Sequence, residues 1–434
     1  MKKTVKKVFA LSLTAAMSLS ATAGFVNADD GNGIEGATIE IAYNNASVAD
    51  DFFALVGEWA DENGVKIEET SYGEEHEAQM KTRMGSGDLP DIWLTHGWSV
   101  NRYGEYLMDL SDQPWVDDID AGLRDVLTTE DGEIYVLPIT QSVACITYNK
   151  DVLDAAGVVP EEIRTWDDFT EACAKVKENT DAAPIMMSLG DESFDAYALE
   201  LVLPSFYSNS DVAGDELAKL LDGSFNWETD AATAWDLISS WYDSGFYNED
   251  LVSCKKDDIC SALAYGEGAF TMYSTMNPSI LSYNPEANIG LIPVPASADD
   301  KASYFGVGEG NYGCFGIWKD TEYPEACKAL FEYLATTEAA EQVCDWDGGI
   351  PGLTSFEMPQ DTDAASTATA YKTAQEQFDG DLVYDNYFDR EYLPSGMWES
   401  MKNAIKELLT DGDPTGHITA AATILQDSYD ELIG

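Results

Sequence analysis

The chain has 434 residues, 80 acidic against 23 basic side chains, a formal charge of −57, and 45% apolar residues. A surface this acidic repels nucleic acid and anionic lipid, which sets aside both as partners. The length suits two domains with sizeable cores.

The first residues, MKKTVKKVFALSLTAAMSLSATAGFVNA, place four lysines before an apolar run and small residues after it. That is the layout of a secretory signal peptide over 1–28, too short and wrongly flanked to span a membrane. Cleavage fits after Ala28, with Ala23 as the other option. Thr22-Ala23-Gly24-Phe25 lacks the cysteine of a lipobox, so the expectation is secretion without a lipid. The mature chain then carries 19 basic and 80 acidic residues, a charge of −61. Solubility accounts for that charge; a pocket for a cationic ligand is the sharper alternative. No calcium-loop pattern occurs. The seven cysteines, Cys145, Cys173, Cys254, Cys260, Cys314, Cys327 and Cys344, are odd in number and form no C-x-x-C pair, so zinc and dithiol chemistry lack their spacing. Most read as small buried hydrophobes, and Cys254 and Cys260 have the spacing to close a small loop in an oxidising compartment.

After the leader, an alternating strand over 38–43 precedes a helix with Phe52, Phe53, Leu55, Val56 and Trp59 on one face, ending near Asn63-Gly64. A strand over 65–69, a helix over 74–84 and a strand over 91–95 complete a βαβαβ order, which implies an open parallel sheet with ligands at the carboxyl ends of its strands. Residues 133–147 read as extended. Asn149 caps a helix closed by Gly157, and Thr165 with Asp168 forms a capping-box pattern for a second helix. Residues 166–273 are mostly helical, with 231–244 and 257–265 as examples. Strands follow over 289–295 and 312–318, helices over 324–335 and 337–345, and two amphipathic helices over 395–410 and 415–432. Residues 355–367 read as loop. No repeat of 20–50 residues appears.

The string Tyr148 to Phe169, YNKDVLDAAGVVPEEIRTWDDF, resembles the hinge-and-helix segment of family 1 extracellular solute-binding proteins, the sugar-capturing components of ABC importers. GSGDLPDIW, FNWETDAATAWDLISSWYDSGFYNEDLV, YGEGAFTMYSTMN, IGLIPVPAS and the tail helix near Met397-Trp398 resemble further family segments in the family's order. The resemblance implies an α/β, two-lobed periplasmic-binding-protein-like fold (type II), its lobes joined by a multi-strand hinge and closing on ligand like a clamp. It divides the chain into an N-terminal lobe, 37–140 plus 275–320, and a C-terminal lobe, 141–274 plus 321–434. Hinges fall near 141–147, 272–277 and 320. The implied partners are an oligosaccharide and ABC permease subunits, with a monomeric binder and no cofactor, metal or catalytic residue.

Sugars need flat apolar faces for stacking and oriented polar groups for their hydroxyls. By position in the family, Asn44 and Asn45 follow the first strand, Glu75 opens a helix, and His96 and Trp98 follow the third strand. Gln141 or Ser142 takes the hinge position where maltose-binding protein has a carboxylate. Glu192 and Phe194 match a Glu-x-aromatic group on the second lobe. Met276 stands where maltose-binding protein has a stacking Trp, with Tyr273 beside it as a replacement. Asn311, Tyr312, Trp346 and Trp398 complete the candidate set. Each has a plainer reading: a turn for the asparagines, a solvated carboxylate for Glu192, a helix-dipole acid for Glu75, and core anchors for the aromatics. A secreted glycoside hydrolase would also use aromatics and paired carboxylates, but no catalytic pair stands out. A polyamine binder of the same fold is the third reading. Three histidines in all, and no HExxH, P-loop or Ser/His/Asp order, leave little room for other chemistry.

Overall fold

The computed structural model describes residues 33–44, 47–95, 103–129, 131–190, 195–207, 213–273, 276–310, 312–358 and 362–433. The signal peptide expected over 1–28 lies outside them. Residues from Ile34 onward form one compact unit. Its strands are β1 (Thr38–Ala42), β2 (Lys66–Thr70), β3 (Ile92–Leu94), β4 (Val136–Pro138), β5 (Thr140–Ala144), β6 (Ile146–Asn149), β7 (Ala183–Ile185), β8 (Gly268–Thr271), β9 (Ile289–Ile292), β10 (Ser303–Glu309), β11 (Cys314–Ile317), β12 (Ile350–Pro351) and β13 (Leu382–Asn386). They form three sheets, in the orders β2-β1-β3-β11-β4, β12-β5-β10-β13 and β7-β8-β6-β9.

The first sheet grows from the βαβαβ run: β1 pairs parallel with β2 and β3, and β11 joins antiparallel. Helix Ala49–Asn63 buries Phe52, Phe53, Leu55, Val56 and Trp59 on it, and Gly64 ends the helix in the left-handed region. Phe52 stacks between Tyr43 and Phe315, with centroids 4.3 and 5.3 Å away. Each such ring contributes about 1.5–3 kcal/mol by leaving water. Arg83 clasps both oxygens of Glu40 at 2.6 and 2.9 Å, tying helix His76–Ser86 to β1.

The third sheet carries the second core. Asn149 caps helix Lys150–Ala156, which Gly157 closes at φ 72°. Thr165 and Asp168 form a complete capping box on helix Trp166–Asn179. That helix buries Trp166, Phe169, Cys173 and Val176, the face its spacing implies. The indole N–H groups of Trp166 and Trp241 donate to Ser205 Oγ (2.6 Å) and Thr170 Oγ1 (2.9 Å), so these rings bury area without stranding a donor. All seven cysteines are buried and none is in a disulfide, including Cys254 and Cys260.

The middle sheet joins the two cores. Residues 136–149 run through β4, β5 and β6, one strand in each sheet, and β10 returns antiparallel beside β5. Here the structure differs from the expected division. One core collects Ile34–Ile139 and Cys314–Ala365, and the other collects Ala144–Tyr304 and Tyr387–Tyr429. The return crossing is therefore β10, not 272–277. Met276 and Ile280 instead pack with Ile259, Cys260 and Leu263 beside the third sheet. Nor is there a crossing at 320. Helices Pro324–Leu334 and Thr337–Asp347 lay Leu330, Phe331, Ala340 and Val343 on the first core. A later crossing runs through helix Asp363–Gln377 and β13, in a stretch whose first part reads as loop in sequence. Ala370, Tyr371 and Ala374 of that helix pack on Phe305 and Val307 of β10.

Candidate functional site

The carboxyl ends of β1 and β3, where an open α/β sheet binds ligands, meet the start of β11. Tyr43 follows β1 and donates to Tyr312 O at 3.4 Å. Thr95 follows β3, and its N–H donates to Cys314 O at 2.8 Å. The Asn44 side chain is half-buried, and its Oδ1 has no hydrogen-bond partner among the described residues. Asp347, next to Trp346 at the end of helix Thr337–Asp347, accepts from the Thr140 hydroxyl and the Tyr312 N–H. Burial pushes its carboxyl up to about 6, against the pull of those two bonds.

A second cluster stands beside the third sheet. The Tyr197 ring meets Tyr273 edge-on at 4.6 Å and Trp398 edge-on at 5.0 Å. All three side chains are half-buried. They come from three elements: the segment after β8, the first turn of helix Tyr197–Ser205, and the first turn of helix Met397–Leu409. The supports are specific. Thr147 of β6 donates to Tyr273 O at 2.9 Å. Gly396, at φ 113°, starts the helix that presents Trp398. Asp195, two residues before Tyr197, is fully buried with Lys406 Nζ 3.3 Å away, and burial raises its carboxyl. Glu200, one turn on, accepts from the N–H groups of Phe388 (2.8 Å) and Asp389 (3.1 Å). Burial pushes that carboxyl well up. Arg390 lies over the Tyr387 ring, 4.1 Å from its centroid.

β10 passes both clusters. A Cβ on Gly308 would touch Tyr387 (3.2 Å) and Arg390 (3.5 Å). One on Gly310 would collide with Thr140 and Asp347. The missing side chains let the crossover strand slide close between the two groups. What results is a set of half-buried aromatic faces next to amide, hydroxyl, carboxylate and guanidinium groups, the composition that stacking on a ring and hydrogen-bonding its hydroxyls requires.

Among the sequence candidates, the structure brings Asn44, Tyr312 and Trp346 to the first cluster and Tyr273 and Trp398 to the second. It does not bring Met276, which is 1% exposed and sits against Cys260 in a core. Gln141 is likewise buried, its amide donating to Pro351 O at 2.8 Å, so it is a hinge residue. Ser142 donates to Glu309 O at 3.1 Å and bonds the Tyr387 side chain, also within the hinge. Glu75 is exposed and accepts from Gln79 at 3.4 Å. Asn45, His96, Trp98, Glu192, Phe194 and Asn311 lie outside the described residues. Tyr197, Asp347 and Arg390 stand in or beside the two clusters without being among the sequence candidates. A tyrosine at a helix start and two charged residues in a strongly acidic chain carry no local signal. A groove of about 730 Å³ lies elsewhere, between the 278–293 segment and helix Asp363–Gln377, and none of the candidates lines it.

Residues 45–341 match the bacterial extracellular solute-binding protein family. The melibiose/raffinose/stachyose-binding protein MelE of Bacillus subtilis is 30% identical over 348 residues, covering 78% of this chain and 76% of its own. The binding protein MsmE of Bacillus subtilis, solved in an open conformation, superposes with a TM-score of 0.81 at 27% identity, covering 93% of this chain and 99% of its own. A sugar transporter of Bacillus licheniformis solved with stachyose gives 0.71 at 26%, covering 91% and 100%. With the two-core, crossover-linked architecture already in place, these matches show that the chain belongs to the bacterial extracellular solute-binding protein family.

Proposed function

We propose that this protein captures an oligosaccharide of the melibiose–raffinose–stachyose series between its two lobes, closes about the crossover strands, and delivers the sugar to an ABC importer. The observation that carries the reading is the aromatic group Tyr273–Tyr197–Trp398, assembled from three separate elements and left half-buried. A core that needed three rings would bury them; rings left part-open beside Arg390 and the hinge suit stacking on a pyranose. MelE, by its name, binds melibiose, raffinose and stachyose, and the Bacillus licheniformis relative was solved with stachyose. These support the choice of ligand.

In this reading the protein is a binder and not an enzyme. The buried carboxylates of the second cluster are committed: Asp195 to Lys406, and Glu200 to two backbone N–H groups. The mature protein is secreted, works as a monomer at the outer face of the membrane, and meets the permease through both lobes when closed. Titration calorimetry with melibiose, raffinose and stachyose tests the ligand, alongside arabino-oligosaccharides, maltose and spermidine. Saturable binding within the galactoside series, with no monosaccharide released on long incubation, supports the proposal. Binding of spermidine alone, or hydrolysis of the sugar, would replace it.

A further inference from the structure

The two crossover strands carry a pair of side chains that the sugar reading does not use. Gln141 of β5 and Glu309 of β10 are direct partners in the antiparallel register. Both are buried, at 2% and 0% exposure. Directly opposed residues hold their Cβ atoms roughly 4.5–5.5 Å apart on one face, so the two side-chain ends are in reach of each other. The Gln141 amide is fixed by its Nε2–H bond to Pro351 O, 2.8 Å long. Its Oε1 finds no donor among the described residues, and the carboxylate of Glu309 is reached there by no donor other than its own backbone N–H, which partly offsets burial. Acceptor groups therefore meet at the hinge with no hydrogen between them. An ionised carboxylate in that position would carry a large desolvation cost.

The surrounding charges do not cancel it. Arg390, after β13, attracts Glu309 through space, but its guanidinium is stacked on Tyr387 and forms no ion pair with the carboxylate. Glu391, beside Arg390, opposes ionisation. Asp347, across Gly310, is engaged by Thr140, and the buried Cys314 thiol lies in the field of both acids. We propose that Glu309 is a positioning residue held as a neutral acid, its O–H donating to Gln141 Oε1 and fastening the two crossover strands together. Burial independently pushes this carboxyl up to about 7.

A consequence follows for binding, and this part rests on the sugar-clamp reading. Closure removes water from beside the hinge and penalises the charged form further. Ligand binding then takes up a proton at Glu309 wherever the open form has lost it. By linkage, affinity falls as pH rises through and above about 7.

The test has two arms, using the mature protein and Glu309→Gln, an isostere that still donates to Gln141. In the ligand-free arm, infrared spectra at about pH 6 are compared between the two proteins. A protonated-carboxyl carbonyl band present in the wild type and lost in Glu309→Gln is expected; its absence from the wild type overturns the proposal. In the second arm, calorimetry with stachyose follows affinity from about pH 6 to about pH 8.5. The wild type is expected to weaken about three- to tenfold, with proton uptake seen as a buffer-dependent heat, while Glu309→Gln stays level. A slope in Glu309→Gln equal to that of the wild type contradicts the coupling. Failure of stachyose to bind at any pH counts against the ligand reading alone, and the infrared band still decides the proton.

Discussion

At the scale of single residues, Trp398 is in the proposed function a ligand platform and a minor stability element. Trp398 is half-buried and touches Tyr197 edge-on, so Trp398→Ala removes one stacking face. The expected loss is about 1–2 kcal/mol of sugar affinity, roughly tenfold, with the melting temperature moved by only a few degrees. An unchanged affinity by calorimetry would remove Trp398 from the site. Asp347 gives a pH prediction. Its carboxyl is pushed up to about 6 in the folded protein, so the folded state holds a proton that the unfolded chain releases at ordinary carboxylate pH. Stability from this group is complete below about pH 4 and is lost as pH rises through about 6. Asp347→Asn should flatten that part of the unfolding free-energy profile, measured in urea, by about 2–3 kcal/mol between about pH 4 and pH 7. A variant profile parallel to the wild type would show that Asp347 titrates normally. Residue-scale legibility was uneven. Tyr273 and Trp398 are legible as candidates because aromatics follow a strand end or start a helix at positions the family uses, and the structure sets both against Tyr197. Met276 was misplaced because sequence position does not say which way a side chain points from a helix N-terminus, and here it points into the core. Tyr197 joins the site through contacts to residues far along the chain, which no local pattern records.

At the scale of elements, most helices announced themselves through caps and apolar spacing. The Thr165–Asp168 capping box is complete, with Asp168 Oδ2 accepting from Thr165 N at 2.9 Å and Thr165 Oγ1 accepting from Asp168 N at 3.2 Å. Thr165→Ala should cost about 1 kcal/mol in chemical unfolding; no loss would mean that the buried Trp166 and Phe169 alone set the helix start. β10 was hidden for an equally physical reason. Its sequence, SYFGVGE, and the following Gly310 look like loop, yet Gly306 is glycine because a Cβ there would lie 2.9 Å from the Ala144 Cβ. The close pairing of the crossover strands needs that space. Gly306→Val should destabilise the protein by about 1–3 kcal/mol by urea unfolding. A neutral outcome would mean that β5 and β10 can separate freely. Helix Asp363–Gln377 was hidden because its buried face is Ala365, Ala370, Tyr371 and Ala374, mostly too small to register as an apolar stripe.

At the scale of the whole molecule, the α/β class and the three parallel strands of the first sheet are legible from the βαβαβ order and its turns, while the antiparallel β11 and β4 that complete that sheet are not. The assignment of segments to lobes was not, because it depends on where the chain crosses and comes back. A strand that pairs in a hinge and one that pairs in a lobe have the same alternation. The sheets resolve this: β4, β5 and β6 step through all three, β10 returns, and β13 marks the later crossing. Such a frame has few connections between its cores, and all of them are strands of one small sheet or pack on it. Relative motion of the cores then resolves into twisting of those strands, which is hinge closure.

The proposed function requires that this frame close on an oligosaccharide. The most direct measurement is the melting temperature of the mature protein with and without melibiose, raffinose and stachyose at saturating concentration, with polyamines and unrelated glycans alongside. Binding to the folded state raises the melting temperature by mass action. A clear rise is expected with one or more of the three galactosides and none with polyamines. A rise with polyamines only, or no rise with any glycan, would contradict it.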